Sequence, residues 1–356
     1  MATVTSWALL LDVEFARRPL EGYWRNGEVA DLFSSLPCPA DSNRCCLQTG
    51  ERILPSTFPG DALMAASPRV RVFTYLVLAF AFSSVFYVLC IRHGMKATYI
   101  YGLMWCPALA GLLTSWLTKR SFREFGWRSG KPRYLLAGWW IPMAYSWPAY
   151  LLVWTSGQGG FPKAQAVEKI RSLLHMASEP AWIVLVVTYL LVAIVGSLLG
   201  CLSTAGEEIG WRGFLVPELM KFNSFTRTAL ISGVIWSAWH VPLIVWSGYN
   251  SGTPAWYAVS CFALMVISSS FFLAWLRLKS GSVWPAVLLH ASHNAIVQSY
   301  LDALTVDRGR THYFTGEFGC AILPLTIFCA WVAWRRRVEV EGGGSAAAAA
   351  QVAGEQ

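Results

Sequence analysis

Three short clusters in the second half of the chain bring together residue types that can do chemistry: EEIGWR at 207–212, WSAWH at 236–240 and HASHN at 290–294. On a helix Glu208 and Arg212, four apart, share a face and can pair. Glu207, rotated by about 100° from Glu208, is then left to face something else. The same spacing sets Trp236 as an aromatic plate beside His240, and places His290 and Asn294 on one face with His293 next to them. One carboxylate outside an ion pair, two imidazoles and a carboxamide are enough to activate a water and to hold an oxyanion. Each cluster also has a plain reading. The first is a charge-paired helix cap, and the other two are polar side chains joining helices. For His293 packing is the stronger reading.

The elements that carry these clusters follow from composition. Of 356 residues, 55% are hydrophobic and 13% charged, and the mean hydropathy is +0.44. That excludes a disordered chain, a disulfide-stapled mini-protein and an ordinary cytosolic enzyme. Eight apolar stretches reach the roughly 20 residues that a bilayer requires: 72–91, 98–117, 134–154, 181–204, 228–246, 256–276, 283–301 and 318–334. In lipid these must be helices, because each backbone polar group needs an internal partner. The expected fold is all-α, a polytopic membrane bundle of about eight transmembrane helices.

Ionisable residues inside spans are costly and mark function. They fall in the fifth and seventh spans and at the end of the fourth, while the first three spans are chemically blank. As drawn, Glu207 lies at the membrane edge while His240 is more than half way along its span, a mismatch that a longer fourth helix would remove. The net charge of +8 comes from basic residues in short loops. Lys119, Arg120, Arg123, Arg128, Lys131 and Arg133 stand against Glu124 alone between the second and third spans, which places that loop in the cytoplasm and both termini with it. The expected location is a cell membrane; nucleic acid is not an expected partner. The nine Cys lack metal-ligand spacing. Residues 163–176 read as an interfacial helix, and Gly196 and Gly200 as a close-packing GxxxG face.

Residues 1–70 are expected to be a poorly ordered extension, with Met64 as an alternative start. Residues 71–337 form the membrane domain, with a motif core at 181–301, and 338–356 a disordered low-complexity tail.

EEIGWR, WSAWH and HASHN, in this order and within membrane helices, resemble the motifs EExxxR, FxxxH and HxxxN (or Asp) of the CPBP intramembrane endopeptidases. That family unites type II CAAX prenyl endopeptidases with bacteriocin-processing and abortive-infection proteins. The resemblance covers about residues 181–301 and implies an eight-helix membrane protease. Carried over position by position, it makes Glu207 the catalytic glutamate, His240 its activating histidine, and His290 with Asn294 the oxyanion pair. Glu208 and Arg212 become structural partners. Trp236 departs from the family's Phe, which puts pocket shape rather than catalysis in question. The implied activity is hydrolysis of a peptide bond in a membrane-associated substrate, prenylated CAAX peptides among the candidates, with no cofactor. Two alternatives stay open: a zinc protease using Glu and two His as ligands, though without an HExxH helix, and a non-catalytic scaffold of the same fold.

Overall fold

The computed structural model describes residues 66–341. Residues 1–65 of the expected N-terminal extension, Met64 as a start and residues 342–356 of the low-complexity tail lie outside the described residues; the ends of both that are described, from Pro68 and over Val338–Glu341, are helical rather than disordered. Each expected span has its helix: α1 (Pro68–His93), α2 (Ala97–Leu117), α3 (Pro132–Thr155), α5 (Ala181–Met220), α6 (Phe225–Trp246), α7 (Ala255–Ser280), α8 (Trp284–His293, continuing as a wider π turn through Asn294–Asp302) and α9 (Leu323–Arg335). The short α4 (Ala164–Leu173) forms within the stretch 163–176 expected as an interfacial helix and turns Val167 and Ile170 inward. Two-residue strands β1 (Gly159–Gly160) and β2 (Val306–Asp307) pair antiparallel and tie two loops at one end of the bundle. Five of the helices are long and apolar enough to cross a membrane. Phe73, Trp116, Leu152, Trp182 and Trp256 remain exposed on the outside, as expected for helices that are apolar all round and face lipid. The chain is an integral membrane protein.

The fourth helix differs from its expected boundaries. It runs 40 residues, to Met220 rather than 204. The run EEIGWR ends an apolar stretch on paper, but Glu208 and Arg212 neutralise one another inside the bundle, so the helix continues through them. Glu207 thereby sits within the helix, and the mismatch in depth with His240 disappears. The last helix begins at Leu323, not 318. Residues 313–321 form a tight turn, with Cys320 N–H on the Tyr313 carbonyl at 3.0 Å and Ala321 N–H on Phe314 at 3.1 Å. Pro324 then sits in the first turn of α9, where its missing N–H costs nothing.

Two glycine seams hold α5 in place. A Cβ on Gly206 would lie 2.5 Å from the Met104 carbonyl oxygen, and one on Gly210 2.4 Å from Pro107 of α2. On the Gly196/Gly200 face, a Cβ on Gly200 would come within 3.3 Å of Ala291 of α8. Small residues let membrane helices approach backbone to backbone, and here that approach brings the carboxylates of α5 against α2 and α8. Where α5 widens at Val192–Gly196, Trp139 Nε1 donates to the Ala193 carbonyl at 2.6 Å, supplying a partner for a backbone group in the altered ladder.

Candidate active site

The first cluster splits as its spacing demands. Glu208 Oε1 accepts from Arg212 Nη1 at 3.0 Å, with both side chains fully buried. Arg212 also donates to Ser270 Oγ at 3.2 Å, and its guanidinium lies 4.1 Å from the centre of the Trp236 ring. Glu207 takes no part in that pair. Its Oε2 accepts from Trp236 Nε1 at 2.8 Å. Trp236 is therefore more than the wall expected of it: one face stacks on the arginine and its N–H orients the glutamate. A Phe in this position would supply neither hydrogen bond nor orientation.

The two histidines are each pinned by Nδ1. His240 Nδ1 lies 3.0 Å from the Trp236 carbonyl oxygen. A carbonyl can only accept, so Nδ1 carries the proton and Nε2 of the neutral ring keeps its lone pair. His290 Nδ1 lies 3.0 Å from Glu208 Oε1, so the structural carboxylate of the first motif also fixes the third. Trp236 stands edge-on to both rings, its centroid 6.1 Å from His240 and 5.4 Å from His290. Trp239 anchors the helix from the other side by donating to Ser83 Oγ of α1 at 2.7 Å.

Glu207, His240, His290 and Asn294 all line one cavity of about 370 Å³. Its remaining wall is largely apolar, from Leu103 and Met104 of α2 to Phe262 and Met265 of α7. Asn294 starts the π turn of α8, and its Oδ1 is buried without a partner. A wide turn beginning at a functional residue is a recurrent device for aiming a side chain, and a second one, Ile209–Leu215, follows directly on Glu208. All seven residues expected at the site thus converge, with Glu208 and Arg212 behind the cavity and the other five lining it.

Several residues of the site were not visible in the sequence. The first three helices are not blank: Tyr145 of α3 lies 2.6 Å from His293 Nδ1, and α2 supplies much of the wall. His293 lines the same cavity, and its Nε2 approaches Glu317 at 3.4 Å. Glu317 comes from the loop before α9 and accepts from Tyr249 at 2.6 Å and Gln298 at 2.5 Å. The one available signal was a lone carboxylate, GEFGC, immediately ahead of an apolar run.

The fold is that of a polytopic membrane protein built around a buried Glu–His–His–Asn cavity. Residues 178–296 match the family described as type II CAAX prenyl endopeptidase Rce1-like. Over 94 residues, 25% of this chain, the sequence is 31% identical to CAAX prenyl protease 2 of Methanococcus maripaludis. The match covers 34% of that protein, so the chain spans about a third of the length of the curated relative it matches. The residues matched by that family description contain all three motifs, EEIGWR, WSAWH and HASHN.

Proposed function

We propose that the chain is an intramembrane endopeptidase of the glutamic type, acting on a peptide bond of a membrane-associated substrate. The observation that carries this reading is the convergence of Glu207, His240, His290 and Asn294 from three helices on one cavity. Glu207 is the only one of the two adjacent carboxylates without a charged partner, so it is the one free to take a proton from water. His240, with Nδ1–H given to the Trp236 carbonyl, offers Nε2 to the same water and orients it. The hydroxide adds to the substrate carbonyl carbon. Asn294, and His290 from Nε2 when the ring carries both protons, donate to the oxyanion. Collapse breaks the C–N bond, and the proton held on Glu207 passes to the leaving nitrogen. No covalent enzyme intermediate forms.

The reaction as proposed uses no metal. Among the described residues no three of His, Cys, Asp and Glu converge as ligands would, and His290 Nδ1 is already committed to Glu208. The family description and the relative's name favour a prenylated CAAX-type peptide as substrate, and the apolar wall of the cavity suits one. The basic loop between α2 and α3 and Arg277 with Lys279 at the end of α7 share one end of the bundle. We assign that end to the cytoplasm of a cell membrane. Arg120 weighs less in that bias than its type suggests, being buried in an ion pair.

The test is cleavage of farnesylated and unmodified peptides by the protein in nanodiscs, comparing wild type with Glu207→Gln and His290→Ala, with and without a chelator. Loss in both variants with insensitivity to chelation is the expected result. Chelator-sensitive cleavage with stoichiometric bound zinc would replace this reading by the metal one.

A further inference from the structure

The cavity has a second polar pole that the proposed mechanism does not use. At the end of the bundle where α6 gives way to α7, Glu317 faces the same space as Glu207. The loop that carries it is held on three sides. Gly316 N–H donates to Tyr150 Oη of α3 at 2.9 Å, and Tyr150 in turn bonds Asp302 at the end of α8. Gly316 has φ +71°, and a Cβ there would lie 2.9 Å from Asp302 Oδ2. Phe318 stacks on Phe262 at 5.6 Å, and Phe262 packs on the His240 ring at 4.7 Å. The carboxylate is therefore built into the wall that holds the proposed activating histidine.

The charge balance of that wall is one-sided. Among the described residues the cavity is lined by two glutamates and three histidines, with no Lys or Arg. Arg212, the nearest buried cation, is already spent on Glu208. Burial alone would raise the Glu317 carboxyl. His293, Tyr249 and Gln298 outweigh it and bring it down to about 2, so the group stays ionised throughout any working range.

We propose that Glu317 is a specificity-determining residue: it selects, at one position beside the scissile bond, a substrate bearing a basic side chain over one bearing an acidic side chain. The inference deepens the peptidase reading and rests on it. A unit charge about 10 Å away at an effective dielectric near 20 changes an equilibrium on the order of tenfold, in opposite senses for the two signs. Tyr249 and Gln298 are neutral and leave the net charge in place, and His293, 3.4 Å away, offsets it only while its ring carries both protons, so the selectivity is read at a pH where that ring is neutral.

The experiment uses the full chain in nanodiscs and matched peptides carrying Lys, norleucine or Asp at each position flanking the scissile bond in turn. In wild type, one position ranks Lys above norleucine above Asp, with a Lys-to-Asp ratio in kcat/KM of at least about tenfold. Glu317→Gln compresses that ratio to within about threefold at whatever rate remains, and Glu317→Asp restores it. Tyr249→Phe removes a donor but keeps the charge, and so keeps the ratio. A wild-type ratio near one at every position overturns the inference, even if Glu317→Gln does not fold. Equal ratios in wild type and Glu317→Gln overturn it too, leaving Glu317 as a tether for Tyr249 and Gln298. Failure of wild type to cleave any peptide instead sinks the peptidase reading, and this inference with it.

Discussion

Glu207 and Glu218 stand on the same helix, both buried, and their surroundings could hardly differ more. Glu218 lies in a cage of cations at the basic end of the bundle, with Arg120 Nε at 2.6 Å, Lys221 Nζ at 2.7 Å and Arg71 Nη1 at 3.8 Å. Arg120 is itself packed between the Phe125 and Phe214 rings, about 5 Å from each centroid. Glu207 takes the neutral indole N–H of Trp236, forms no ion pair with Lys or Arg among the described residues, and lines the cavity. The ion pairs of Glu218 join α5 to α1 and to the loop after α2. Burial therefore does not separate structure from chemistry in this bundle; the charge of the partner does.

Replacing the two residues in turn should separate the two roles. Glu207→Gln keeps the acceptor for Trp236 and removes the base. Cleavage should fall by about 10²–10⁴ while the thermal midpoint in detergent stays within about a degree or two of wild type. Asn294→Ala should cost about 10²–10³ in kcat, with a smaller effect on KM, if its carboxamide meets the oxyanion only as charge develops. Glu218→Gln should do the reverse. It strands Arg120 without its main counter-ion, at about 3–5 kcal/mol of stability, and leaves kcat per folded molecule nearly unchanged. A Glu218 variant that folds normally but cannot cleave would erase the distinction between the two carboxylates.

Much of the site was legible because helical spacing is rigid. Four residues apart put Glu208 on Arg212 and Trp236 beside His240, and both held to within a hydrogen bond or a ring contact. The order of apolar runs likewise gave eight helices. The contacts that crossed between distant segments were not legible. Nothing in the sequence pairs Tyr145 with His293, or Glu317 with Tyr249, since those partners are 148 and 68 residues apart. The extent of α5 was misjudged for a related reason. A hydropathy scan treats Glu208 and Arg212 as two charges, whereas in the bundle they are one neutral pair. The role of Trp236 was underrated because aromatic residues usually act through their faces, and here the N–H matters as much.

The weakest member of the basic-end network offers the finest test of the comparison. Glu124 bridges Arg120 at 3.1 Å and Lys221 at 3.1 Å, from a side chain that is 41% exposed. Burial by itself would raise its carboxyl, but Arg120 and Lys221 outweigh that and hold it below the ordinary value. A carboxyl lowered on folding adds stability that is fully present above its unfolded value, near 4.3, and is lost as pH falls through the lower folded value. Water screens a group this exposed, so the contribution stays below about 1 kcal/mol. Thermal midpoints should therefore stand slightly higher for wild type than for Glu124→Gln at pH 7, by roughly 1–2 °C, with the two curves converging only below about pH 5. High salt should shrink that gap, because Glu124 reaches solvent, and should leave the larger Glu218→Gln deficit almost untouched. Equal salt sensitivity in both variants would mean that solvent reaches Glu218 as well, and that the buried cage at the basic end is not the closed structural element that its geometry describes.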